Sequence, residues 1–424
     1  MKKKKSFYLI LALVFLLLLT ACSDKDEKTS SDGEGKNFSG TLTVWTHPFV
    51  ASDLKDQQTA VFEDMAKQFK KKYPKAKVKF EEIPWANRET KILTALAANK
   101  GPDVFYLIPD MMAQFASKNV LTPITKLIGN DFDKDDFPKS SLDAVTYDGE
   151  MYGVPILHEV QSMVYNTKIL EEVGGDKNAL PQTWEEFDKL AEKAVEKGYF
   201  ARNFEGANTL NSTLYPLIWQ AGGDIIDKDG KVVINNKKGV KVFEMIHDWY
   251  KKGWIPKDST TALDHFTGFL EGKAFSTTAT GLTLSTLKER GFKDYVLGPP
   301  LKGEKQLTFG TTGMFVVPSN SKHKEVAAQL VKAMTDTEGS KAFNKLTKYI
   351  PARKSAADIY NDDSEMKQMT EWLKYTKPGV IHPVAREIMP KVQAELQAMM
   401  EGSKTPKEAA DASAEAIQGE IDKQ

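Results

Sequence analysis

Residues 41–107 read TLTVWTHPFVASDLKDQQTAVFEDMAKQFKKKYPKAKVKFEEIPWANRETKILTALAANKGPDVFYL, and the order of elements in this stretch decides the fold class. Thr41 to Trp45 reads as a strand. Lys55 to Tyr73 reads as a helix, because Phe62, Met65, Phe69 and Tyr73 recur along one face. Pro74 ends it. Lys77 to Ile83 reads as a second strand. Asn87 to Asn99 reads as a second helix, with Ile92, Leu93, Leu96 and Ala97 inward and Gly101-Pro102 as the stop. Asp103 to Leu107 reads as a third strand. Strand, helix, strand, helix, strand implies parallel pairing through right-handed crossovers, an α/β architecture.

Further along, helices dominate. Thr183 and Glu186 form a T-x-x-E capping box at the head of an amphipathic helix. Gly222-Gly223-Asp224 and Asp227-Lys228-Asp229-Gly230 flank short extended runs and point to a hairpin. Val240, Phe243, Ile246 and Tyr250 mark another helix face. A new α/β pattern returns from Thr308 to Pro318, with helices up to about Lys348. Val384 to Met400 and the chain from Pro406 on are helical by composition. No internal repeat is visible. Two lobes are expected, each assembled from discontinuous pieces of chain.

The chain has 424 residues, 41% apolar, 27% charged and 10% aromatic. That balance is globular and excludes wholesale disorder and a polytopic membrane protein. Lys plus Arg equals Asp plus Glu at 58 each, but Lys2, Lys3, Lys4 and Lys5 belong to an N-terminal leader. Without those four, 54 basic residues face 58 acidic ones, and a mildly acidic body has no electrostatic reason to seek nucleic acid.

The four lysines precede an apolar run, Phe7 to Leu19, shorter than the roughly 20 residues of a membrane span. Leu19-Thr20-Ala21-Cys22 then resembles a bacterial lipobox, whose cysteine receives diacylglycerol. Cys22 is the single cysteine of the chain, which rules out an intramolecular disulfide and a Cys-based zinc cluster. Residues 1–21 are therefore expected as a lipoprotein signal peptide, and 22–38 as a lipid-anchored tether of Ser, Asp, Lys, Glu and Gly. That places the protein on the outer face of the cytoplasmic membrane.

Catalytic motifs are missing. The chain has no G-x-S-x-G, H-E-x-x-H or G-x-x-x-x-G-K-[ST]. Its six histidines are scattered without ligand spacing. Asp131-Phe-Asp133-Lys-Asp135-Asp136 starts like a calcium loop, but Asp136 stands where Gly is needed and Leu142 where Glu is needed. No cofactor and no metal are expected.

The richest constellation runs from Asp148 to Glu172. Asp148-Gly149 makes a turn and Met151 to Ile156 a strand. Pro155, Ile156, Ser162, Met163, Val164, Tyr165, Asn166 and Leu170 then match the signature of the family 1 extracellular solute-binding proteins, which are the sugar-binding components of ABC importers. Leu157 departs, being apolar where that signature has a small or polar residue. Gly101-Pro102-Asp103-Val104, Pro181-Gln182-Thr183-Trp184-Glu185-Glu186, Gln220-Ala221-Gly222-Gly223-Asp224, Phe269 to Ala274, Ser321 to Glu325 and Pro351-Ala352-Arg353 resemble further family segments in the same order. The resemblance covers the body from about Gly40 to the end.

This resemblance implies a two-lobe, periplasmic-binding-protein-like α/β fold of type II. It places 39–156 and 302–349 in an N-terminal lobe, and 157–301 and 350–424 in a C-terminal lobe. Three hinge crossings are expected near Pro155–Glu159, Pro299–Lys305 and Ile350–Ala352, with the ligand in the cleft between lobes.

Sugars offer apolar C–H faces to aromatic rings and paired hydroxyls to carboxylates. Trp85 follows the second strand, at the end of a parallel sheet where ligands bind, and is read as a stacking residue or as core. His47 follows the first strand on the same rim. In maltodextrin-binding relatives, acidic ligand-binding positions match Asp110 and Glu159, although an N-cap and a hinge salt bridge also account for them. Thr280 lies where relatives carry a cleft-lining loop. His382 precedes the long C-terminal helix. Trp219 reads equally as a ligand contact and as core filling, whereas Trp45 reads as core. Three departures are notable: Leu282 replaces a stacking Trp, Ile388-Met389-Pro390 replaces an aromatic pair, and Met111 replaces an Arg. A mono- or short oligosaccharide therefore fits better than a long malto-oligosaccharide. The expected protein is a monomeric, non-enzymatic lipoprotein that captures a carbohydrate and delivers it to ABC permease subunits. Alternatives are a receptor for a polyol, sugar phosphate or peptide, or a lipid-anchored glycoside hydrolase built on paired carboxylates.

Overall fold

The computed structural model describes residues 37–207, 209–262 and 266–424. The expected leader, Cys22 and the tether as far as residue 36 lie outside the described residues.

The opening stretch folds as its periodicity demands. The strand Thr41–Thr46 pairs in parallel with Lys77–Glu82 on one side and Val104–Leu107 on the other. Phe62, Met65, Phe69 and Tyr73 are all buried. The single expected helix is interrupted at Ala66, giving Lys55–Met65 and Lys67–Lys72. The second helix is Arg88–Ala97. Thr183 caps Trp184–Glu196 through the reciprocal hydrogen bonds expected with Glu186.

Two sheets organise the molecule. The first has six strands in the spatial order Ile350–Pro351, Gly153–His158, Thr312–Val316, Val104–Leu107, Thr41–Thr46, Lys77–Glu82. Its core gathers Leu42, Val44, Phe105, Val154, Phe315 and Val331. The second sheet has the order Tyr295–Gly298, Ser162–Asn166, Ala274–Ala279, Phe200–Arg202. Alternation along Ser162–Asn166 sends Met163 and Tyr165 into one core with Phe187, Phe243 and Val392. Val164 points the other way, into a smaller cluster with Phe269, Leu287 and Met369. Each fully buried Phe or Leu contributes about 1.5–3 kcal/mol, so each lobe has its own driving force.

Three passages join the lobes. Glu159–Gln161 links the strand Gly153–His158 of the first sheet to Ser162–Asn166 of the second. The second passage differs from expectation. Leu301, Leu307 and Phe309 pack on the second core, and Thr308–Phe309 pairs with Thr376–Lys377. The chain enters the first sheet only at Thr312, so the crossing lies at Gly310–Thr311 rather than Pro299–Lys305. Apolar burial of Leu301 and Phe309 holds that segment back. Gly310 is required there: a Cβ would stand 2.5 Å from the Glu159 carbonyl oxygen. The third passage follows Ile350–Pro351, the last strand of the first sheet. No helix among the described residues is long and apolar enough to cross a membrane.

Candidate functional site

The first wall of the cleft is made at the C-terminal ends of the parallel strands. His47 follows Thr41–Thr46 and is buried. Its Nδ1–H donates to the Ile83 carbonyl at 2.9 Å, since a carbonyl only accepts. The ring stacks on Trp85 with centroids 4.1 Å apart. Burial, together with the nearby Arg88 charge, lowers the His47 pKa to about 4, so the ring is neutral. Trp85 is anchored by its Nε1–H to the Pro48 carbonyl, 2.9 Å, and meets Phe49 and Tyr106 edge-on at 5.3 and 6.1 Å. It nevertheless keeps 39% of its surface exposed. His47 covers one indole face, so a sugar has only what remains. The Arg88 guanidinium lies 5.0 Å from the same ring.

Asp110 stands in the first turn of Pro109–Ser117 and is 1% exposed. One carboxylate oxygen accepts from the Met111 amide at 2.8 Å. The other accepts from Asn211 at 3.4 Å and from Arg386 at 3.3 Å, both from the second lobe. Around this pair the helices Pro109–Ser117 and Ala385–Met400 face each other. The Gln114 amide donates to Glu89 at 2.8 Å and to Glu387 at 2.9 Å. Lys118 reaches Glu387 at 3.5 Å, and Arg386 lies 3.8 Å from Glu89. Gln114 Oε1, Asn211 Oδ1, Tyr215 OH and Glu387 Oε2 are buried here without a hydrogen bond in the protein. The junction thus keeps lone pairs to spare.

Glu159 begins the first passage. Its backbone N–H donates to the Thr311 carbonyl at 3.0 Å, pinning two passages together. Its carboxyl has no hydrogen bond or ion pair among the described residues, and burial pushes its pKa up to about 7. Its charge is felt by the Tyr106 and Tyr349 phenols, both held above the usual range by burial.

The remaining expected contacts divide. Thr280 is half-buried and caps the helix Gly281–Glu289 by accepting from the Thr283 amide at 3.3 Å. Gly281 backs onto the Lys348 carbonyl, which brings this loop beside Tyr349. His382 is half-buried, its Nδ1 accepting from the Val384 amide at 3.3 Å, and burial lowers its pKa. Gly379, three residues earlier, abuts Asn211, tying this segment to the partner of Asp110. Trp219 is not brought to the others. It is 1% exposed in the second core, with Nε1 donating to Asp224 at 3.2 Å and Lys377 over its ring. Of its two readings, core filling describes this placement. Arg88, Tyr106, Gln114, Asn211, Tyr349 and Arg386 were not anticipated. Only Arg88 carried a local signal, three positions after Trp85 in the same rim loop.

A family model for bacterial extracellular solute-binding proteins matches residues 64–371. The chain belongs to this family. A galactooligosaccharide-binding protein of Bacillus subtilis is 26% identical, over 99% of this chain and 98% of its own length. An arabinooligosaccharide-binding protein of the same organism is 27% identical, over 89% and 86%. Among solved structures, an ABC substrate-binding protein of Listeria monocytogenes in complex with cycloalternan superposes with a TM-score of 0.78. It is 21% identical, and the match covers 91% of this chain and 99% of that one.

Against that family background the departures gain a physical meaning. Met111, standing where an Arg was looked for, is fully buried in the first core. A guanidinium reaches Asp110 all the same, from Arg386 across the cleft. Ile388 and Met389, standing in place of an aromatic pair, are buried in the second core. Leu282 is 54% exposed beside Thr280. Charged groups thus meet between the lobes at Asp110 and Arg386, and aromatic rings gather at His47 and Trp85.

Proposed function

We propose that this protein captures a carbohydrate, a mono- or short oligosaccharide, between its two lobes and passes it unaltered to the permease of an ABC importer. The carrying observation is Glu159: a half-buried carboxyl at the passage between lobes, with no protein donor among the described residues, whose charge reaches Tyr106 of the wall that bears Trp85. Ligand hydroxyls supply the missing donors. His47, Trp85, Asp110, Glu159, Thr280 and His382 surround the ligand in this reading, and Trp219 supports the second lobe from within. The lobes are taken as 39–158 with 312–349, and 159–311 with 350–424. Ligand contacts from both sides favour the closed state over the open one. The names of the Bacillus subtilis relatives support the choice of saccharide. Diacylglycerol on Cys22 would hold the monomer at the outer face of the cytoplasmic membrane, and replacing Cys22 by Ala should release it into the medium.

A thermal-shift panel of galactotriose, arabinotriose, maltotriose and diacetylchitobiose tests the proposal. A sugar at 100 times its dissociation constant adds about 2.7 kcal/mol of stability. A panel in which no sugar raises the midpoint removes the carbohydrate reading, and release of shorter sugars removes the non-enzymatic one.

A further inference from the structure

We infer that Arg88 is the specificity-determining donor of the cleft, its guanidinium gripping two neighbouring oxygens of a saccharide's vicinal hydroxyls opposite the accepting Glu159. The inference rests on the carbohydrate reading and adds to it a residue and a ligand requirement.

The argument begins with the backbone. Asn87, just before the helix Arg88–Ala97, takes a left-handed conformation with φ 54°, which Asn tolerates better than most residues. This turn lets two residues of one short loop meet, and Arg88 comes to lie 5.0 Å from the Trp85 ring centroid. Trp85 is itself clamped by His47 and by the Pro48 carbonyl. The guanidinium is therefore laid on a fixed surface.

Charge pairing then singles Arg88 out. Arg386 has Asp110 and Glu89, Lys118 has Glu387, and Gln114 bridges Glu89 and Glu387. Arg88 has no hydrogen bond and no ion pair among the described residues. It is half-buried, and burial lowers its pKa against the opposing influence of Tyr106 and Asp110. A cation withdrawn from water and left without acceptors is costly. Its donors form a rigid planar fork matched to two adjacent oxygens. Glu159 has the converse shortage, lone pairs without donors. A pair of vicinal hydroxyls meets both needs, because each hydroxyl donates and accepts. A ligand lacking one of those oxygens leaves a buried group unpaired and is rejected.

The test uses the sugar from the four-member panel that stabilises the wild type. Titration calorimetry is run on the wild type, Arg88→Met and Arg88→Lys, with unliganded melting midpoints measured beside it. Loss of charged hydrogen bonds predicts affinity roughly 10- to 100-fold weaker in Arg88→Met. Lys, which cannot form the fork, should fall between. Monodeoxy analogues of the sugar should be rejected by the wild type and should lose part of that penalty in Arg88→Met. Unliganded midpoints should stay level or rise, which a merely structural arginine would not allow. Affinity in Arg88→Met within about twofold of wild type, in a protein that binds the sugar, overturns this assignment and leaves the carbohydrate reading standing. A wild type that binds no sugar overturns both. If Arg88→Met does not fold, full affinity in Arg88→Lys is the overturning result.

Discussion

Asp110 and Glu159 are both carboxylates of the cleft, yet the chain treats them in opposite ways. Asp110 has three protein donors, the Met111 amide, Asn211 and Arg386. Glu159 has none at its carboxyl among the described residues, and its pKa rises to about 7 through burial alone. Pairing makes the first a clasp between lobes. Isolation is why the second is proposed as the receptor, since an acceptor without protein donors gains most from a donor brought by a ligand. The same distinction separates the two cleft arginines: Arg386 has carboxylate partners, and Arg88 has none among the described residues.

The sharpest way to break this comparison is Glu159→Gln, which keeps the shape and removes the charge. Ligand affinity, read by calorimetry, should fall by about 100-fold, and an unchanged affinity would dismiss the receptor role. Next in size is Asp110→Asn. It should lower unfolding stability by about 2 kcal/mol, less than for a fully buried pair because Arg386 keeps 29% exposure. Denaturant titration of Asp110→Asn, Arg386→Met and the double variant should show coupling between them; additive losses would deny the clasp.

Acidity tests Glu159 further. Binding to ionised Glu159 should weaken about tenfold per pH unit below about 7 and level off above. Stability has its own signature. Between the ordinary glutamate value of 4.5 and about 7, the folded state holds the Glu159 proton that the unfolded state has lost. This group's contribution therefore declines as pH rises through that window. Glu159→Gln should raise the melting midpoint at pH 8 and leave it unchanged at pH 4. The buried, neutral His47 and His158, both lowered to about 4, work the other way and withdraw stability as pH falls below 6.5. The smallest expected effect is Trp219→Phe. It should cost about 1 kcal/mol through the lost bond to Asp224 and leave affinity unaltered; a weakened affinity would return Trp219 to the ligand.

Much of the fold was legible because its signals are local. Phe62, Met65, Phe69 and Tyr73 share a face at any helix radius, and Thr183 with Glu186 caps a helix whatever surrounds it. The site was legible only in part. His47 and Trp85 could be placed on the rim from strand order, but not their stacking on each other. Trp219 sits one turn from Tyr215 on an apolar helix, and nothing local told core from cleft. The second passage was misplaced because the packing of Leu301 and Phe309, not sequence periodicity, decides where the chain leaves the lobe.

By itself, the amino-acid order determined the alternation of strands and helices, the helix caps and the rim positions of His47 and Trp85, since each depends on neighbours a few residues apart. Tertiary structure alone decided that Asp110 finds Arg386, 276 residues away, while the Arg88 guanidinium and the Glu159 carboxyl find no hydrogen-bond or ion-pair partner among the described residues. The physical reason is that pairing across a cleft depends on which distant side chains the two lobes bring within hydrogen-bond reach, and no short-range pattern records that distance.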